Sequence, residues 1–213
     1  SISIPDDNIE ELPFLNFADG SPERKYIEER RGSLGGPLPQ RRRNSVALEV
    51  PPLSAFSAQL VSTEQREIST TMQFVRILSP FLGDKAIGRF VVPIVPDESR
   101  PFVMEGLFRQ LGIFSQVGQL YKPQDADQLM YYREDKSGQV FQEGINEGGA
   151  MSSWIVASTS YSTNNVPMIP FYIYYSMFGL QRVGDLAWLA GDMRARGFLL
   201  GGILGQDDDG VAA

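Results

Sequence analysis

The 213-residue chain contains no cysteine and no histidine. Without cysteine there is no disulfide framework, thiolate zinc site or cysteine nucleophile. Without histidine the most common general base, the Ser-His-Asp triad and the usual transition-metal ligand are all excluded. Catalysis must then rest on carboxylates, tyrosines, lysines, backbone groups or a bound cofactor. Positive charge is in deficit as well: 19 Lys and Arg against 26 Asp and Glu leave a net charge of −7. A broad nucleic-acid surface is not expected, because the phosphate backbone demands clustered cations. Long hydrophobic runs are missing too. The most apolar stretch, 166–180, contains Pro167 and Pro170 and falls short of the roughly 20 apolar residues that span a bilayer. The N-terminal SISIPDDNIEELP is polar and acidic, unlike the basic and apolar regions of a secretory signal. The expectation is a soluble, cytoplasmic protein without a membrane partner.

What is present is ordinary globular composition, 42% hydrophobic and 21% charged residues. The length suits one large domain, or one domain plus a piece of another. Residues 1–52 read as a tail or linker, with short helix candidates at Asp6–Leu12 and Pro22–Arg31. They end in GSLGGPLPQRRRNS, whose Gly, Pro and Arg content is typical of a boundary. The run Arg41-Arg42-Arg43-Asn44-Ser45 resembles a basophilic kinase site, although scattered cations in a solvated linker are the commoner origin of such runs.

From Ser54 onward the texture changes. Apolar residues at 72, 74, 75, 77 and 78 predict a helix over 69–81, ending near Pro80 and Gly83. RFVVPIVP at 89–96 reads as a buried strand. It stops at Asp97 and Glu98, the strand end where parallel sheets bind ligands. Further helices are expected at Met104–Leu111, Pro123–Glu134, Ile145–Tyr161 and Gly184–Arg196, and strands at Met168–Tyr175 and Phe198–Ile203. This alternation predicts an α/β fold with a mainly parallel sheet flanked by helices.

Neither a dinucleotide nor a P-loop glycine pattern occurs, and Asp207-Asp208-Asp209 lacks the spacing of a calcium loop. The stretch QEGINEGGAMSSW at 142–154 is more unusual. In a helix, Glu143 and Glu147 would share a face and repel by a few tenths of a kcal/mol. Gly148 and Gly149 would each cost about 1 kcal/mol relative to alanine. Glu147 sits among Gly144, Ile145, Gly148, Gly149 and Ala150, with Trp154 and Ile155 following. Burial there would raise its pKa, as a proton donor needs. Asp97, Glu98, Glu143 and Glu147 could also serve a glycosidase-type carboxylate pair. In FYIYYSMFG at 171–179, Tyr175, Phe178 and Arg182 fall at or beyond the strand end, where a planar ring could stack.

The words MEGLFRQLGI, QEGINE, TSYSTNN, PMIPFYIYYSMFG and GDLAWLAGDMRARGFL closely resemble the homodimeric, bacterial-type pyruvate dehydrogenase component that uses thiamine diphosphate. The resemblance extends to about residue 205, and implies a fragment of a longer protein. Residues 1–52 would be the end of a preceding diphosphate-binding domain and its linker. Residues 53–205 would be most of the pyrimidine-binding domain, and 206–213 an acidic tail unlike the family. The family's magnesium motif and histidines are absent, so Mg2+ and diphosphate ligands are expected in the missing domain. No metal ligand is assigned here.

The resemblance further implies roles for individual residues. Glu147 would hydrogen-bond the aminopyrimidine ring nitrogen and favour its imino tautomer. Phe178 would stack on that ring, with Ile145, Tyr175 and Arg182 around it and Glu143 as structural support. Asp97 and Glu98 would face the reaction centre. The substrate would be pyruvate, and the two-carbon unit would pass to the lipoyl group of a dihydrolipoamide acetyltransferase. Because the cofactor bridges two subunits in this family, the isolated chain is expected to be inactive. Two alternatives stay open: a non-catalytic interaction or regulatory module retaining the fold, and a carboxylate-pair hydrolase.

Overall fold

The computed structural model describes residue 10 and residues 16–36, 45–96, 110–124 and 132–202. The chain divides into two compact units, Ser1–Arg41 and Arg42–Ala213.

In the first unit, α1 spans Pro22–Ser33. Ser21 caps it, its hydroxyl accepting the Arg24 N–H at 3.3 Å, and Pro22 opens its first turn. Glu23 near the start and Arg30 and Arg31 near the end complement the helix dipole. None of its residues is buried, so local signals of this kind carry the helix.

The second unit begins with a 3-10 turn, Leu53–Phe56, running into the short α2 at Ser57–Leu60. The helix expected over 69–81 is α3, Thr70–Gly83, capped by the Ser69 hydroxyl and carrying Pro80 inside. Strand β1 is Val91–Val95. Two-residue strands follow: β2, Ile113–Phe114, β3, Glu134–Asp135, and β4, Phe141–Gln142. Helix α4 (Glu147–Thr163), β5 (Ile169–Tyr175), α5 (Ser176–Asp192) and β6 (Phe198–Gly202) complete the described elements.

The main sheet has the order β4-β1-β5-β6, and every pairing is parallel, with Ile94 opposite Tyr172 and Phe141, and Tyr172 opposite Leu199. The fold is therefore the α/β type with a mainly parallel sheet that the alternation predicts. Both β4→α4→β5 and β5→α5→β6 cross the sheet in the same direction. Right-handed crossovers must then put α4 and α5 on one face, and the core confirms it. On that face Val92, Ile94, Tyr172 and Tyr174 pack with Ala150, Met151, Trp154 and Val183. On the other, Val91, Val95, Phe171 and Ile173 pack with Leu78 and Leu82 of α3. Burial on both faces is why β1 and β5 read as continuous apolar runs rather than alternating ones. At the edge, Phe171 stacks on Phe198 at 4.7 Å, and the Trp154 indole donates to the Phe198 carbonyl at 3.1 Å.

Three expectations need correction. Glu134 does not end a helix. It lies in β3, paired with Ile113, and its carboxylate accepts the hydroxyls of Tyr121 (2.6 Å) and Tyr132 (3.0 Å). The helix expected from Gly184 starts at Ser176, and Gly184 instead follows a break at Val183, with φ −129° and ψ 21°. The helix expected from Ile145 starts at Glu147, for reasons given below. The helix candidates at 6–12 and 104–111, and the middle of 123–134, lie largely outside the described residues.

Candidate functional site

In a parallel sheet the helices that follow the strands begin at one edge, and α4 and α5 both begin at the carboxyl edge here. Gly144 makes the turn into α4 with φ +72°, a conformation that side-chain-bearing residues avoid. Asn146 then caps the helix, its Oδ1 accepting the Gly149 N–H at 2.9 Å. Glu147 becomes the first helical residue, and its charge meets the positive end of the helix dipole. Glu143 lies outside the helix, so the two glutamates do not share a helical face. Its N–H donates to the Val95 carbonyl at 3.0 Å, and its carboxylate accepts the Ser153 hydroxyl. Glu143 thus ties the end of β1 to α4.

From the other side, β5 runs without a loop into α5. Tyr175 ends the strand, Phe178 lies in the first turn of the helix, and Arg182 follows one turn later. The Tyr175 and Phe178 rings stand nearly perpendicular, their centres 6.4 Å apart. Gly179 lets the Tyr174 ring lie against the first turn of α5, since a Cβ there would stand 2.1 Å from Cδ2 of Tyr174.

The two helix starts meet through Arg182. Its Nη1 donates to Glu147 Oε1 at 2.6 Å, and its guanidinium carbon lies 4.8 Å from the centre of the Phe178 ring. The Glu147 side chain is 11% exposed, that of Arg182 51%. The hydrogen bond from Arg182 holds the Glu147 carboxyl below the usual carboxylate range, outweighing the burial that pushes it up. This corrects the expectation of a raised pKa: burial was foreseen, the cation was not. Tyr172 lies fully buried below, and among the described residues its hydroxyl has no hydrogen-bond partner. Burial first, and the Glu147 charge second, push its pKa up. Sequence reasoning passed over Tyr172 because it lies inside an aromatic run that a core strand fully accounts for.

Of the residues singled out in the sequence, Glu147, Phe178, Tyr175 and Arg182 come together. Ile145 stands apart, 75% exposed in the loop before α4. Asp97 and Glu98 lie outside the described residues.

The profile of a family described as "Pyruvate dehydrogenase E1 component middle domain" matches residues 48–210. The chain belongs to this family.

Relatives of this E1 middle domain span longer proteins. The chain is 62% identical to the pyruvate dehydrogenase E1 component of Pseudomonas aeruginosa over 205 residues, covering 96% of the chain and 23% of the relative. It is 62% identical to that of Cupriavidus necator and 55% identical to that of Escherichia coli K12, in each case over 97% of the chain and 23% of the relative. The chain therefore spans about a quarter of the length of these relatives. In the E1 middle domain described here, a cleft of about 590 Å³ opens beside Tyr161, Ile169, Arg196 and Phe198. That is the amino edge of β5 and β6, opposite the Glu147 cluster. Among the described residues no helix is long and apolar enough to cross a membrane.

Proposed function

We propose that Glu147, Phe178, Tyr175 and Arg182 form the pyrimidine-facing half of a thiamine diphosphate site. The protein carrying it would decarboxylate pyruvate and pass the two-carbon unit to a lipoyl group of a dihydrolipoamide acetyltransferase. One observation supports this reading above the others: at the carboxyl edge of a parallel sheet, one planar guanidinium both bonds a buried carboxylate and lies over an aromatic ring. Such a seat suits a flat ring bearing N–H groups, and the flat, N–H-bearing guanidinium of Arg182 already satisfies both of its contacts. The donor set present therefore fits the aminopyrimidine.

When bound, thiamine diphosphate supplies the electron sink that decarboxylation of a 2-oxo acid requires. The chain's own residues do the rest on this side. Glu147 offers its carboxyl to a ring nitrogen. Once Arg182 no longer bonds to it, burial dominates and raises its pKa, so that Glu147 can hold a proton at Oε1. Phe178 sets the plane of the ring, and the perpendicular ring of Tyr175 supports Phe178. Ile145, exposed in the loop before α4, is assigned to the surroundings of the ring. Asp97 and Glu98 are assigned to the reaction-centre side. The Mg2+ and diphosphate ligands are assigned to a preceding domain, with residues 53–205 as the pyrimidine-binding domain. A second subunit would complete the site.

Calorimetric titration of the chain with thiamine diphosphate and Mg2+ tests this half-site. Binding is expected to be weak, about 1 mM in dissociation constant, and to fall roughly tenfold in both Glu147→Gln and Phe178→Ala, the loss of a charged hydrogen bond or a stacking face. Binding that ignores both substitutions would sink the reading and favour a module that keeps the fold without the cofactor.

A further inference from the structure

We propose that Arg182 is the built-in placeholder of this site. Its guanidinium fills the seat between Glu147 and Phe178 while the seat holds no ring, and an aminopyrimidine enters by displacing it. The inference rests on the pyrimidine reading above and adds how the seat is kept and opened.

Three observations carry it. First, one planar group makes both contacts the seat offers, donating to Glu147 at 2.6 Å and covering Phe178 at 4.8 Å. A guanidinium and an aminopyrimidine are alike in these respects: both are flat, carry N–H donors in the plane and stack on aromatic rings. An aminopyrimidine that takes Glu147 Oε1 and the face of Phe178 that Arg182 covers competes with the guanidinium for both. Second, the exposure is lopsided. Glu147 is enclosed at the start of α4, whereas half of the Arg182 side chain faces solvent. The arginine can swing out on its long stem and regain water at little cost, because a partly exposed pair is worth little. Third, α5 breaks at Val183, directly after Arg182. The arginine thus sits at the end of a short helical segment rather than in the middle of a continuous one.

The placeholder has a use. A buried carboxylate without a partner is costly to keep, and a bare aromatic face beside it invites stray contacts. Arg182 neutralises the first and covers the second. The arrangement also taxes ligand binding by the fraction of time the seat is occupied.

The test uses thiamine, which carries the aminopyrimidine without the diphosphate, so that neither Mg2+ nor another domain enters. Wild type, Arg182→Met, Arg182→Lys, Glu147→Gln and Phe178→Ala are titrated by calorimetry. The Arg182 Nη1–H proton resonances of the wild type are followed in parallel. Arg182→Met is expected to bind thiamine roughly three- to tenfold more tightly than wild type, the tax being lifted. Arg182→Lys, which keeps the charge but not the plane, should fall between them. The Nη1–H protons, which bond to Glu147, should lose their protection from exchange as thiamine saturates the wild type. Weaker or unchanged binding by Arg182→Met overturns the placeholder, and if Glu147→Gln and Phe178→Ala still weaken binding, the pyrimidine seat itself stands. Binding indifferent to Glu147 and Phe178 removes the seat and the placeholder together. No binding by any variant, Arg182→Met included, at about 10 mM thiamine also overturns it.

Discussion

At the scale of single residues the chemistry turns on what holds Glu147 in its charged form. Its folded pKa is depressed, first by the Arg182 hydrogen bond and then by its own backbone N–H. A depressed carboxylate contributes stability that is present above its unfolded pKa and is lost as pH falls through the folded value. In Arg182→Met burial and the opposing bond from its own backbone N–H remain, burial being the larger, so the depression is removed. The stability gap between wild type and Arg182→Met is therefore expected to narrow as pH is lowered from about 6 to about 3, across the ordinary carboxylate range. Denaturant unfolding of both proteins across that interval measures it, and a gap independent of pH would show that the pair is not formed in solution. Half-exposure of Arg182 keeps the effect modest. The sequence made Glu147 legible as an enclosed acid, from the small and apolar residues around it. It could not make the charge state legible, because Arg182 lies 35 residues away and nothing in the local pattern pairs the two. Tyr172 was illegible for another reason: an orphan hydroxyl in a core strand has the same sequence appearance as a satisfied one.

At the scale of elements, the long strands β1, β5 and β6 and the helices α1 and α3 followed from their patterns, while the starts of α4 and α5 did not. Both carry glycine near the start, at 144 before α4 and at 179 in the first turn of α5, where propensity points away from helix. The physical causes were tertiary or conformational: Asn146 capping after the positive φ of Gly144, and Tyr174 packed so closely that only glycine fits at 179. The pair β2 and β3 was missed because two-residue strands carry no usable alternation. Gly179→Ala tests the reading of α5. Its new methyl cannot be placed without moving the Tyr174 ring or the helix, a form of overpacking that costs about 1–3 kcal/mol. A melting temperature lower by several degrees is expected, on the order of 4–8 °C for each kcal/mol in a small domain. An unchanged melting temperature would mean that Tyr174 yields freely, and that the first turn of α5 is less tightly fixed than its packing implies.

At the scale of the whole molecule, the second unit closes two apolar layers around its sheet yet leaves large side chains outside. Trp188 is 83% exposed, and Met177, Leu180 and Leu189 of the same helix are also exposed. Apolar surface of this kind favours association, and a second copy of the chain is the partner proposed above. Sedimentation at increasing concentration is expected to show self-association that Trp188→Glu weakens; a monodisperse monomer at all concentrations would count against it. The break at Val183 bears on this helix in another way. It divides α5 into a short arm carrying Phe178 and Arg182 and a longer arm carrying Trp188 and Ala190. Ala190 beds the long arm in the core, whereas the short arm is fixed by Gly179 against Tyr174 and by the Ser176 hydroxyl donating to the Gly202 carbonyl at 3.1 Å. The ring that would grip a ligand and the cation that yields to it are thus mounted on one lever with its own footing, so a load taken up on the outer arm need not tilt the seat.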